Sequence, residues 1–117
     1  MITGKNYIGK ELSANSSVTF QTFNPLLNIK NDISFFEASD LEIQKATILA
    51  SNAFLTYKSV SLTDRSNFLT QIAEELKLIS DDIVKIYCSE TGLSEGRCLG
   101  ELTRTINQLQ SFAKLLS

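Results

Sequence analysis

At Ser39 the apolar residues of this 117-residue chain change their spacing, and that change limits the fold more than any other feature. Before it, β-branched and aromatic residues alternate with polar ones in Asn6-Tyr7-Ile8, from Val18 to Phe23, and in Ile33-Ser34-Phe35-Phe36. Gly9, Asn15-Ser16-Ser17 and Asn24-Pro25 lie between these runs. Alternation broken by turn-forming residues gives three short strands within residues 1–38. Proline fixes its own φ and disfavours helix for the residue before it, so the second strand is expected to end at Asn24-Pro25.

After Ser39 the spacing becomes three-to-four, which is helical. Ser39 or Asp40 caps a first helix along which Ile43, Ala46, Ala50, Ala53, Phe54 and Tyr57 recur. A second opens near Ser61-Leu62-Thr63-Asp64; Phe68, Leu69, Ile72, Ala73, Leu76 and Ile79 are its expected buried stripe, with Glu74, Glu75 and Lys77 in water. Ser80 is expected to cap a third, shorter helix that Gly92 stops, with Asp81 and Asp82 at its positive end. The fourth opens at Ser94-Glu95 and carries Leu99, Leu102, Ile106, Leu109, Phe112, Ala113 and Leu116, a stripe still running at Ser117. That pattern predicts a truncated helix. No repeat or linker divides the chain, so one unit is expected: a strand arm over 1–38 and four helices over 39–117, mainly helical.

Composition removes several chemistries. There is no histidine, and hence neither the usual general base and nucleophile partner nor the commonest metal ligand. The net charge is −2 without a basic cluster, which argues against nucleic acid. No apolar run reaches the length of a bilayer span and residues 1–5 do not read as a secretion signal, so no membrane and a cytoplasmic location are expected. Cys88 and Cys98 then read as reduced thiols.

Local candidates are weak. Gly92, Gly96 and Gly100 precede or enter a helix, but they lack the lysine of a phosphate loop, and Glu95 repels an anion; a helix stop and close helix contacts explain them better. Arg97 beside Cys98 favours a thiolate, yet no base accompanies either cysteine, and small apolar residues at helix surfaces explain both. Adjacent carboxylates such as Glu74-Glu75 and Asp81-Asp82 point about 100° apart on a helix and do not converge on one atom. Arg97, Glu101 and Arg104 share one helix face with Gln108, as a salt-bridge ladder or an anion site. Tyr7, Phe20, Phe23, Phe35 and Phe36 read as core residues. No catalytic, cofactor-binding or metal constellation is complete in this chain.

Several fragments taken together are familiar. Thr3-Gly4-Lys5-Asn6-Tyr7-Ile8-Gly9, Thr19-Phe20-Gln21-Thr22-Phe23-Asn24-Pro25 and Phe36-Glu37-Ala38 resemble the opening strands of aldehyde dehydrogenases. Ala50-x-x-Ala53-Phe54, Asp64-Arg65-x-x-Phe68-Leu69, Glu90-Thr91-Gly92-Leu93 and the run Gly100-Glu101-x-x-Arg104-Thr105-x-x-Gln108-Leu109-x-x-Phe112-Ala113 resemble the same family. The last run is most similar to the α-ketoglutarate semialdehyde (2,5-dioxopentanoate) dehydrogenase branch.

The resemblance implies an α/β parent fold, of which this chain is the N-terminal portion of the cofactor-binding domain, flanking the NAD or NADP site without binding the dinucleotide itself. It implies oxidation of an aldehyde to an acid through a thiohemiacetal on a cysteine, with hydride passing to the nicotinamide. The family's nucleophilic cysteine, general-base glutamate, oxyanion-hole asparagine and glycine-containing cofactor turn all lie downstream, so Cys88, Cys98, Glu74 and Glu90 take none of these roles. Arg104 and Gln108 are the substrate-binding candidates, because the matching helix lies near the aldehyde tunnel and a guanidinium suits a substrate carboxylate. The implied partners are the remainder of the dehydrogenase chain and further copies of it. The alternative is a stand-alone helical interaction module without enzymatic activity.

Overall fold

The computed structural model describes residues 2–116, and Ser117, where the sequence places an interrupted helix, lies outside them. Its elements run β1 (Asn6–Ile8), β2 (Glu11–Ser13), β3 (Thr19–Asn24), β4 (Ile29–Phe36), α1 (Asp40–Tyr57), α2 (Leu62–Leu78), α3 (Ser80–Thr91) and α4 (Glu95–Leu116). The mainly helical content, the strand arm and the four helices agree with the sequence reading.

The strands number four among the described residues, not three. β1 and β2 form an antiparallel hairpin with Tyr7 opposite Leu12, and β3 and β4 form a second two-stranded sheet. The sequence hides β2 because Glu11-Leu12-Ser13 is too short and polar to show alternation; pairing with β1 makes it a strand. β4 also begins earlier than Ile33. Asn24 ends β3 as expected, and its Oδ1 accepts from the N–H groups of Leu26 and Leu27 at 3.0 and 3.1 Å. Asn28 then takes a positive φ of 56°, a conformation asparagine tolerates better than most residues, and the chain is turned back by Ile29.

Ser39 caps α1 in a reciprocal arrangement. Its hydroxyl accepts from the N–H of Glu42, and the Glu42 carboxylate accepts from the N–H of Ser39. Ser61 caps α2 by accepting from the N–H of Asp64 at 3.1 Å. Ser94 accepts from the N–H of Arg97 at the start of α4. Ser80 caps nothing: α2 reaches Leu78, Ile79 alone forms the joint, and Ser80 is already helical. Gly92 stops α3 as expected, with φ 70° and its N–H bonded to the Cys88 carbonyl at 3.0 Å.

The described chain divides into two compact units where the sequence showed no linker. One comprises the chain up to Phe23 with Asn28–Ser59, and the other comprises Asn24–Leu27 with the segment from Val60 onward. The division falls in the turn after α1 because α1 contacts β1, whereas α2, α3 and α4 contact one another. In the second unit Ala73, Cys98, Ile106 and Ala113 are buried between the helices, and in the first Ile8 is buried. A buried hydroxyl joins α2 to α4: Ser66 Oγ donates to the Ala113 carbonyl at 2.8 Å.

The expected stripes are only half used. Leu69, Ile72 and Leu76 of α2 are half-buried, but Phe68 and Ile79 are exposed, as are Leu99 and Phe112 of α4 and Tyr7, Phe20 and Phe23 of the strands. Phe20 stacks on Phe35 with ring centroids 5.6 Å apart, yet that contact covers only part of each ring. The chain exposes 8748 Å2. A folded monomer of its mass exposes about 6,300 Å2, and two separate bodies of half that mass about 7,700 Å2 together.

Candidate functional site

α4 has the clearest two-sided character of the four helices. Cys98, Ile106 and Ala113 define its buried side, with Leu102 and Leu109 half-buried beside them, and this side meets α2 and α3. Arg97, Gly100, Arg104, Gln108 and Ser111 lie on the opposite side and are exposed. The structure therefore places the two sequence-predicted residues, Arg104 and Gln108, one turn apart on the same open face, as their i, i+4 spacing requires.

The expected ladder forms only in its first rung. Arg97 Nη2 lies 2.6 Å from Glu101 Oε1. Among the described residues the side chains of Arg104 and Gln108 have no hydrogen-bond or ion-pair partner, so the Arg104 guanidinium keeps its full donor set turned to solvent. A planar cation with an amide one turn further presents donors to a carboxylate. It offers nothing that moves a proton or attacks a carbonyl.

Other candidates fall away. Cys98 is buried, and burial, with Cys88 nearby adding to it, pushes its thiol above the ordinary value, opposite to the thiolate that neighbouring Arg97 suggested. A raised thiol pKa means a poor nucleophile. Gly96 and Gly100 do not serve close contact as expected: a Cβ at either meets nothing within 4 Å. Glu74 pairs with Lys77 at 2.7 Å and Glu75 accepts from Gln71 at 2.8 Å, so both are surface groups. No cluster of metal-ligating side chains occurs among the described residues, and no helix is long and apolar enough to cross a membrane.

The best-held polar side chain is one that sequence reasoning passed over. Glu42 in the first turn of α1 is 2% exposed. Its carboxylate accepts from the Ser13 hydroxyl, from the N–H and hydroxyl of Ser39 at 2.8 Å each, and from the N–H of Asn15 at 3.3 Å. The Ser13 hydroxyl above all, then the Ser39 N–H and hydroxyl, hold its pKa down to about 2. Such a carboxylate is a poor base, and its role is to fix the chain after β2 to the start of α1. The signal was present in the sequence as Ser39-x-x-Glu42, the capping box.

Among the described residues the elements do not form the strand, glycine-containing turn and helix of a dinucleotide fingerprint. The N-terminus of α4 carries Glu95 in its first turn, and the strands are paired as two short hairpins and do not feed a glycine-containing turn into a helix.

Known proteins give the context. The model of the Aldehyde dehydrogenase family matches residues 12–117. The chain belongs to that family. Alpha-ketoglutaric semialdehyde dehydrogenase 2 of Azospirillum brasilense is 34% identical over 116 residues, 98% of this chain and 22% of its own length. Alpha-ketoglutaric semialdehyde dehydrogenase of Acinetobacter baylyi is 30% identical over 113 residues, 97% of this chain and 22% of its own. The NAD-dependent benzaldehyde dehydrogenase from Corynebacterium glutamicum superposes with a TM-score of 0.88 at 21% identity, over 99% of this chain and 25% of that one, which establishes the fold as that of an aldehyde dehydrogenase segment. The chain thus spans about a fifth of the length of these relatives, at their N-terminal end.

Proposed function

We propose that this chain is the N-terminal segment of the cofactor-binding domain of an NAD- or NADP-dependent aldehyde dehydrogenase, and that α4 presents Arg104 and Gln108 to the carboxylate of an acidic semialdehyde such as 2,5-dioxopentanoate. The observation that carries the substrate reading is the unpartnered guanidinium of Arg104 on the open face of α4, one turn from Gln108. A charge-assisted pair of parallel hydrogen bonds suits a carboxylate and gives nothing to a neutral aldehyde. The names of the Azospirillum and Acinetobacter relatives support the same substrate class.

The catalytic cysteine, the general base and the dinucleotide site belong to the remainder of the protein, and the chain alone is inactive. In this reading no residue of this chain takes part in a step at the nicotinamide. The whole protein is a cytoplasmic homo-oligomer in this reading. The excess of exposed surface supports a part of a larger body over a stand-alone interaction module.

The test is a full-length chimaera in which this chain replaces the matching segment of the Azospirillum relative. Turnover of 2,5-dioxopentanoate with NAD or NADP is expected. Arg104→Ala raises KM for the acidic semialdehyde about tenfold to a hundredfold, the worth of one charged hydrogen-bonded contact. KM for pentanal stays unchanged, and Arg104→Lys recovers part of the loss. An unchanged KM for the acidic substrate refutes the assignment.

A further inference from the structure

One asparagine of this chain stands where its own backbone can attack it. Asn15 lies between β2 and β3, outside every strand and helix, and is exposed. The residue after it, Ser16, is small, and its hydroxyl accepts from the N–H of Val18 at 3.1 Å. Among the described residues the Ser16 N–H itself has no hydrogen-bond partner. The other asparagines lack this combination. Asn24 precedes a proline, which has no N–H. Asn28 precedes Ile29, whose branched Cβ crowds the nitrogen beside it. Asn6, Asn31, Asn52, Asn67 and Asn107 lie within strands or helices, where a paired backbone must open before it can bend.

We propose that Asn15 is a site of spontaneous deamidation, and that the carboxylate it creates loosens the hold of Glu42 on the strand arm. The Ser16 nitrogen attacks the side-chain amide carbon of Asn15. A bond from that nitrogen to Cγ forms, the bond from Cγ to Nδ2 breaks, and ammonia leaves with the proton that the Ser16 nitrogen gives up. Water then opens the cyclic imide at either carbonyl, leaving aspartate or isoaspartate at position 15. Asparagine is a thermolabile residue, and this route needs no partner but water. The consequence follows from one contact: the Asn15 N–H donates to Glu42 Oε1 at 3.3 Å. Either product sets a new carboxylate on the residue whose N–H the buried Glu42 carboxylate accepts. Like charges placed so disfavour the ionised form of Glu42, on which its bonds to Ser13, Asn15 and Ser39 depend. Isoaspartate also adds a methylene to the main chain between residues 15 and 16. None of this depends on what the chain binds or oxidises.

The experiment incubates the chain, folded by circular dichroism, in mildly alkaline buffer and follows each asparagine by peptide mass spectrometry. Asn15 is expected to convert at least about tenfold faster than Asn52 in α1 or Asn107 in α4, whose helices must open first. Ser16→Thr keeps the hydroxyl but branches the Cβ beside the attacking nitrogen, and it slows conversion of Asn15 at least about threefold while leaving Asn52 and Asn107 unchanged. Asn15 converting no faster than Asn52, or at the same rate with Ser16→Thr, overturns the site. Urea titration of Asn15→Asp, alone and together with Glu42→Gln, reads the consequence. Asn15→Asp lowers the midpoint when Glu42 is present and lowers it much less in the Glu42→Gln background. Equal shifts in the two backgrounds overturn the link to Glu42.

Discussion

Replacing a glycine by alanine is expected to have opposite signs at two positions eight residues apart. Gly92 holds φ 70° at the end of α3, and a Cβ there meets Pro25 Cγ at 3.0 Å and Leu26 Cγ at 3.1 Å. The left-handed conformation costs alanine about 1–2 kcal/mol. Pro25 and Leu26 are exposed and free to give way by a few tenths of an ångström, so the contact adds less than that. The loss of freedom in the unfolded chain offsets about 0.4–1 kcal/mol. Gly92→Ala is therefore destabilising by about 1–2 kcal/mol. Gly100 is helical and a Cβ there touches nothing within 4 Å, so only helix propensity changes. Gly100→Ala is stabilising by about 1 kcal/mol. Urea titration followed by far-ultraviolet circular dichroism reads the difference, and with a slope of roughly 1–3 kcal/mol per molar the two midpoints separate by about 1 M. Equal shifts in the same direction would refute the reasoning, and a destabilising Gly100→Ala would show that another surface lies against α4 at that point.

Three further outcomes are expected besides the Arg104 kinetics. Glu42 has a folded pKa of about 2, below its ordinary 4.5, so it contributes stability fully above pH 4.5 and loses it as pH falls through 2; the stability advantage of the native protein over Glu42→Gln should shrink across that window, and a constant difference contradicts it. Ser66→Ala removes the hydroxyl that joins α2 to the Ala113 carbonyl and should cost about 1 kcal/mol in urea titration, with no change refuting a stabilising role for that bond. Cys98 is buried with a raised thiol pKa, so iodoacetamide at neutral pH should leave it intact until urea opens the helices, and rapid alkylation in buffer would show that the α2–α4 contact opens readily.

The helices were legible because their signals are local. Ser39, Ser61 and Ser94 mark starts that capping chemistry demands, and Gly92 marks a stop that depends on its own φ. The strand β2 was not legible, because Glu11-Leu12-Ser13 is defined by its partner β1 and not by its own pattern. Ser80 misled for a related reason: a serine before two aspartates looks like a cap, but whether the preceding helix has ended by then is settled by the joint at Ile79. Periodicity also told which side of a helix is apolar without telling what covers it. Phe68, Ile79, Leu99 and Phe112 fit their stripes and still stand exposed. At the candidate site, the shared face of Arg104 and Gln108 followed from spacing, whereas the absence of a side-chain partner for Arg104 among the described residues required the positions of Arg97 and Glu101.

The joint between α2 and α3 limits how this region can change length in evolution. Leu78 ends one helix, Ser80 begins the next, and Ile79 alone stands between them, so no loop absorbs an added or lost residue. A one-residue insertion there turns every side chain on one side of the joint by about 100° relative to the other. Ile83, Val84, Ile86, Tyr87 and Cys88, all half-buried, leave their places together under such a change. From Leu62 to Thr91 the two helices share a single reading frame of side-chain direction, and length variants that survive there should come in steps of three or four residues, close to whole turns.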